Sequence, residues 1–127
     1  MQCHQCWYVP TLAGIRSEGD DVSDAAHRHS VQLALATGVP IAAGSDMSTR
    51  PHVDVLDELP LLSAAGLGDA GALRAATSEA ARLLRLDHDR GRVAPGLRAD
   101  LVLLDGSGLS LEDRRDGFVW CGRTAAS

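Results

Sequence analysis

Lysine is absent from this 127-residue chain: all 12 basic side chains are arginine. No lysine nucleophile, Schiff base or lysine-derived metal bridge can therefore come from these residues. Aromatic residues are almost as scarce, with Trp7, Tyr8, Phe118 and Trp120 the full set, so any core is aliphatic. No apolar run approaches the roughly 18 residues of a membrane span, and the N-terminus lacks a basic stretch followed by an apolar one. Three cysteines are an odd number, whereas a disulfide framework uses an even one. These absences lead us to expect a reduced, cytoplasmic protein with no signal peptide and no membrane span. Positive charge is also in the minority, at 12 basic against 17 acidic side chains and a formal net charge of −5. That balance argues against a nucleic-acid groove or an anionic membrane surface as partner.

What is present suffices for a core, since 45% of the residues are hydrophobic. Residues 7–12, WYVPTL, form a short β-rich run interrupted by Pro10. The polar stretch from Ala13 to Val22 reads as a loop. Ser23 is placed to cap a helix over 24–37, with Leu33, Leu35 and an Ala-rich face, closed by Gly38. Residues 39–43, VPIAA, are apolar without alternation, as in a parallel strand covered on both faces. Gly44, Ser45 and Asp46 follow just beyond its carboxyl end. A helical pattern then covers 54–65, with Pro60 expected to kink or restart it and Gly66 closing it. Short helices are expected at 69–76 and 78–85, with Thr77 as the cap between them. After Leu86 the character changes to a charged turn, the pair Pro95-Gly96, the run DLVLLD and a last strand at 118–121.

The order is therefore two βα units of a parallel sheet, then pieces of a small β domain. Two parallel strands do not make a stable sheet, and a complete βα barrel takes about 250 residues. VPIAA then has nowhere within this chain to bury both faces, which suggests a piece of something larger.

Four segments, in order, carry a family resemblance: VPTL at 9–12, TGVPIAAGSD at 37–46, ELPLLSAAGLGDAGALRAATSEAARLL at 58–84 and GRVAPGLRADLVLLD at 91–105. The chain resembles the C-terminal portion of the amidohydrolase superfamily, metal-dependent hydrolases built on a TIM barrel with an appended β-sandwich. The likeness is greatest to its imidazolonepropionase-like and Xaa-Pro dipeptidase-like branch. The resemblance implies an α/β fold, with residues 1–86 supplying the last two βα units of the barrel. It likewise implies that residues 87–127 are C-terminal strands of the composite sandwich.

The resemblance makes Asp46 the aspartate at the end of the eighth barrel strand, where it binds a catalytic divalent metal, zinc by expectation, and takes a proton from the attacking water. Such a carboxylate at the mouth of a barrel strand lies where these active sites are built. Without the resemblance, Asp46 reads more simply as a cap on the next helix or a brace for the Gly-Ser turn. His52 lies at a GSD-x5-H spacing common in the branch and is a candidate substrate contact or equally a solvated loop histidine, since the family often has Gly after this His and Val53 follows here. Arg50 is a candidate partner for a substrate carboxylate, or an ordinary exposed arginine. His27 and His29, two apart on a helix, point to different faces and cannot share a metal. His88 reads as a solvated turn residue. Cys3-His4-Gln5-Cys6 is half of a structural zinc pattern, and Cys121 alone cannot complete it. Gly91, Gly96 and Asp100 read as structural.

The resemblance implies an H-x-H pair on the first barrel strand, a bridging Lys or Glu on the fourth and histidines on the fifth and sixth, and none of these strands is in this sequence. One carboxylate cannot hold a catalytic zinc, which takes about three protein ligands. The expected function is thus the C-terminal portion of a hydrolase that cleaves an amide, cyclic-amide or dipeptide-like C–N bond of a small molecule, with this chain inactive alone. The alternatives are a deaminase of the same superfamily and a non-catalytic fragment that binds a partner. Expected partners are a small-molecule substrate, the missing N-terminal half of the barrel and a second copy in a homo-oligomer.

Overall fold

Tyr8 and Ile41 form a parallel bridge in the computed structural model, which describes residues 6–15, 21–46, 55–104, 111 and 118–122. The Tyr8 N–H donates to the Pro40 carbonyl at 3.0 Å, and the Ala42 N–H donates to the Tyr8 carbonyl at 3.1 Å. These slanted bonds join two neighbouring segments that run the same way, but the strands expected at 7–12 and 39–43 are corrected to this single bridge. Ile41 and Ala42 are consecutive, so in an extended segment their side chains point to opposite faces. Both are nonetheless buried. The expectation that VPIAA had nowhere to bury both faces is corrected: helices of this same chain cover it, and the Ala43 N–H donates to the Ala75 carbonyl at 3.0 Å.

Between these segments lie α1 (Leu12–Ile15) and α2 (Asp21–Ala36). The first corrects the expected loop, since the chain turns helical immediately after Thr11. The second begins ahead of Ser23, which lies inside the helix rather than at its cap. Its core face is Val31 and Ala34, three residues apart, whereas Leu33 and Leu35 are exposed. Gly38 closes it as expected. The Gly38 N–H donates to the Leu35 carbonyl and the Val39 N–H to the Ala34 carbonyl, with Gly38 at φ 71°. This paired arrangement needs a left-handed residue, which glycine adopts at least cost.

Helix α3 (Val55–Leu62) runs through Pro60 and passes into a π-helical turn, Ser63–Leu67, so the break expected at proline comes later, at Gly66. Helices α4 (Gly68–Ala76) and α5 (Ser78–Leu83) follow on either side of Thr77. Thr77 separates them but does not cap α5 with its side chain. Its hydroxyl donates back to the Leu73 carbonyl at 2.6 Å and so finishes α4. Leu12, Val31, Ile41, Leu59 and Leu62 belong to one aliphatic core, which Leu111 joins from the C-terminal region. Arg82 of α5 lies 5.6 Å from the Trp7 ring centre and ties that helix to the start of the first segment.

Beyond α5 an ion-pair cluster shapes the turn. Asp89 receives Arg90 at 2.8 Å and Arg98 at 3.0 Å, and Arg90 also lies 3.5 Å from Asp100. Gly91 and Gly96 both take positive φ there, as turn residues. Strands β1 (Leu101–Leu104) and β2 (Phe118–Gly122) pair antiparallel, from Leu101 opposite Gly122 to Leu104 opposite Phe118, with an irregularity between Leu103 and Leu104. The fold is mixed α/β and mostly helical among the described residues. No helix among them is long and apolar enough to cross a membrane.

Candidate functional site

The two parallel segments end side by side, and each ends in a left-handed residue that is not glycine. Thr11 has φ 52° and Asp46 has φ 47°. Such backbone is uncommon outside glycine and concentrates where surroundings force it, functional sites included. Aspartate tolerates it better than β-branched threonine does, because its short polar side chain bonds locally.

Close packing of main chain brings these ends together. A Cβ on Gly44 would lie 2.7 Å from a Val9 methyl carbon. One on Gly14 would lie 2.7 Å from the Ser45 carbonyl oxygen and 3.2 Å from the Asp46 Cβ. Only glycine permits that approach. The turn of α1 therefore backs directly onto Ser45 and Asp46, while the Asp46 residue itself is exposed. This is the expected position beyond the carboxyl end of the second apolar run.

Glu58 of α3 completes the arrangement and had no role in the sequence reading. It is fully buried. Its Oε1 accepts the Leu12 N–H at 2.9 Å and its Oε2 accepts the Ala13 N–H at 2.7 Å. Those amides open α1, where the first helical donors have no partner within the helix. Burial pushes the Glu58 carboxyl above its usual range, against the opposite pull of the Ala13 and Leu12 amides. A sequence signal existed: Glu58 shares an apolar helix face with Leu62, four residues on. A charged residue on that face needs a buried partner.

His52 and Arg50 lie outside the described residues, as do Cys3, His4 and Gln5. Cys6 is an exposed free cysteine. His27 is half-buried and His29 exposed on α2, and His88 is exposed in its turn. A pocket of about 60 Å³ between α1, α2 and α3 is lined by Leu12, Asp24, His27, Arg28, Leu61 and Ala64. That is far below the roughly 300–1,000 Å³ of small-molecule sites.

Among the described residues, no three His, Cys, Asp or Glu side chains are grouped so that they could hold a metal ion. Asp46 offers one carboxylate, short of the roughly three protein ligands of a catalytic zinc. The described residues thus do not make a metal centre by themselves. Asp46 presents an exposed residue on constrained backbone at this end of the two segments.

Comparison with known proteins places this geometry in context. A family model described as "Amidohydrolase family" matches residues 4–123. An adenine deaminase of Sinorhizobium fredii is 42% identical over 77 residues, which cover 61% of this chain and 12% of the relative. One of Oleidesulfovibrio alaskensis is 46% identical over 61 residues, covering 48% of this chain and 10% of the relative. A crystal structure of a Xaa-Pro dipeptidase with bound methionine in the active site superposes with a TM-score of 0.67 at 26% identity, covering 81% of this chain and 29% of that one. A crystal structure of an uncharacterized protein reaches a TM-score of 0.75 at 26% identity, covering 93% of this chain and 34% of that one. The chain therefore spans about an eighth of the first relative's length, and about a third or less of the two solved structures.

Proposed function

The chain belongs to the amidohydrolase family, whose members hydrolyse carbon–nitrogen bonds and are generally metal-dependent, and from that premise we propose that it is the C-terminal part of a larger enzyme to which it contributes the proton-handling carboxylate Asp46. In this reading residues 1–86 end a TIM barrel and residues 87–127 form part of an appended β-sandwich. The observation that carries it is the setting of Asp46, exposed beyond the carboxyl end of the second parallel segment on backbone held at φ 47°. In α/β barrels, reacting groups sit on that side of the strands.

The carboxylate orients a water, takes its proton as it attacks the carbon of the C–N bond, and returns the proton to the leaving nitrogen. Asp46 would be one ligand of a divalent metal, zinc in this proposal, and that metal would supply acidity to the water. Its other ligands come from protein outside this chain, and the substrate is a small molecule. His52 and Arg50, on the segment after Asp46, are proposed to touch that substrate. This chain alone is inactive, and joining it to the missing half restores the site.

A second reading, deamination, gains support from the adenine deaminase relatives, which share 41–46% of residues over their matched stretches. An exocyclic amine then replaces the amide nitrogen as leaving group, with the same duty for Asp46. Assaying the intact protein for ammonia release from aminopurines, and for hydrolysis of dipeptides and cyclic amides, separates the two. In either case Asp46→Asn is expected to lower turnover by about 10²–10⁴-fold. Unchanged turnover in that variant, or turnover by the 127-residue chain alone, overturns the proposal.

A further inference from the structure

Among the described residues Glu58 is the only charged side chain that is fully buried, and the chemistry proposed above makes no use of it. A carboxylate withdrawn from water is costly unless hydrogen bonds replace its hydration, so its partners reveal its task. Each oxygen takes one of two consecutive main-chain amides, Leu12 at 2.9 Å and Ala13 at 2.7 Å. Neither partner is a side chain. What Glu58 holds is therefore the course of the backbone.

Local forces alone do not fix that backbone. Helix α1 has four residues, too few to persist in isolation. Thr11, just before it, is left-handed at φ 52°. Backbone in that region endures where its surroundings over-determine it. The Gly14 and Ile15 amides bond back to the Thr11 carbonyl at 3.1 and 3.2 Å, which closes the turn from within. Glu58 supplies the grip from without, through the two amides that the turn leaves open. On its far side the turn meets Ser45 and Asp46 through Gly14, with no room for a methyl group between them. Glu58, the turn and Asp46 are thus consecutive links in one chain of contacts.

We propose that Glu58 is the positioning residue for Asp46: by gripping the Leu12 and Ala13 amides it sets the turn on which Gly14 backs the Ser45–Asp46 main chain, and so decides where the Asp46 carboxylate stands. The inference rests on the hydrolytic reading for its purpose, while the geometry it asserts is testable apart from any activity. Glutamine shows why the carboxylate is required. It fills the same volume but presents one acceptor and one donor, and the donor would face an N–H.

The test is nuclear magnetic resonance on the full 127-residue chain as wild type, Glu58→Gln and Gly14→Ala. In the wild type the Leu12 and Ala13 amides are expected to show scalar coupling across the hydrogen bond to the Glu58 carboxyl carbon; its absence overturns the proposal. In Glu58→Gln the Leu12 and Ala13 amide resonances are expected to move upfield. Those of Gly14, Ser45 and Asp46 shift with them, while the turn around Asp89 and Arg98 is unchanged. Shifts confined to Leu12 and Ala13 make Glu58 a local cap or a space-filler, which glutamine preserves in volume, and overturn the proposal. If Glu58→Gln does not fold, Gly14→Ala decides alone. It is expected to displace the Ser45 and Asp46 resonances while the coupling to Glu58 weakens, and unmoved Asp46 resonances overturn the proposal. Asp46→Asn in the intact enzyme separates the two readings. Full activity there removes the hydrolytic duty of Asp46, whereas Glu58-dependent Asp46 resonances still support the positioning.

Discussion

Glu58 and Ala13 stand 45 residues apart in the chain, yet the Ala13 N–H donates to Glu58 Oε2 at 2.7 Å. The carboxyl is raised above its ordinary value of 4.5, because burial outweighs the stabilising pull of the amides. A group raised in the folded state favours folding most below its unfolded pKa, and that contribution is lost as pH rises through the folded value. The stability of the wild type minus that of Glu58→Gln, from denaturant unfolding over a pH series, is therefore expected to fall as pH rises from below 4.5. A difference that grows with pH means instead that the amides outweigh burial.

Asp89 gives the opposite sign. The hydrogen bond from Arg90 is the largest influence on its carboxyl, and with Arg98 adding to it the group is held below its ordinary value of 3.8. A depressed carboxyl stabilises the fold above its unfolded pKa, and the contribution is lost as pH falls through the folded value. The stability of the wild type minus that of Asp89→Asn is expected to shrink as pH drops below 3.8. Because the cluster is open to solvent, added salt should shrink it too. A salt-independent difference would show that the arginines are not its source.

Two glycines of the same turn separate steric from conformational cost. Gly96, at φ 84°, has open space where a Cβ would stand. Gly96→Ala is expected to cost roughly 1–2 kcal/mol, the price of left-handed backbone alone. At Gly91, φ 98°, a Cβ would lie 2.4 Å from the Ala81 Cβ and 3.1 Å from the Thr77 carbonyl oxygen. Gly91→Ala adds overpacking of about 1–3 kcal/mol to the backbone cost. Denaturant midpoints should fall further for Gly91→Ala than for Gly96→Ala. Equal midpoints would mean that α5 yields without resistance.

Features governed by neighbours in the chain were legible beforehand. The apolar runs at 7–12 and 39–43 imply parallel neighbours, and Tyr8 and Ile41 meet that way. Gly38 implies a helix end, since a left-handed residue is needed there. Thr77 does separate two helices, but which one its hydroxyl serves depends on rotamer and packing, and it bonds backward to Leu73. Pro60 is tolerated within α3, against a local rule whose force depends on tertiary context. The position of Asp46 beyond an apolar run was legible as well, while Arg50 and His52 lie outside the described residues.

By itself the sequence determined the succession of the longer helices, the aliphatic character of the core and the family, because these depend on residue type and spacing along the chain. Only the tertiary structure decided that residues 13–15 are a helical turn rather than a loop, since Glu58, the acceptor for the Leu12 and Ala13 amides, lies 46 and 45 residues further along the chain. It also decided that VPIAA is covered on both faces within this chain and that Gly14 abuts Asp46. Each depends on a contact between residues distant in sequence, whose pairing no local propensity encodes.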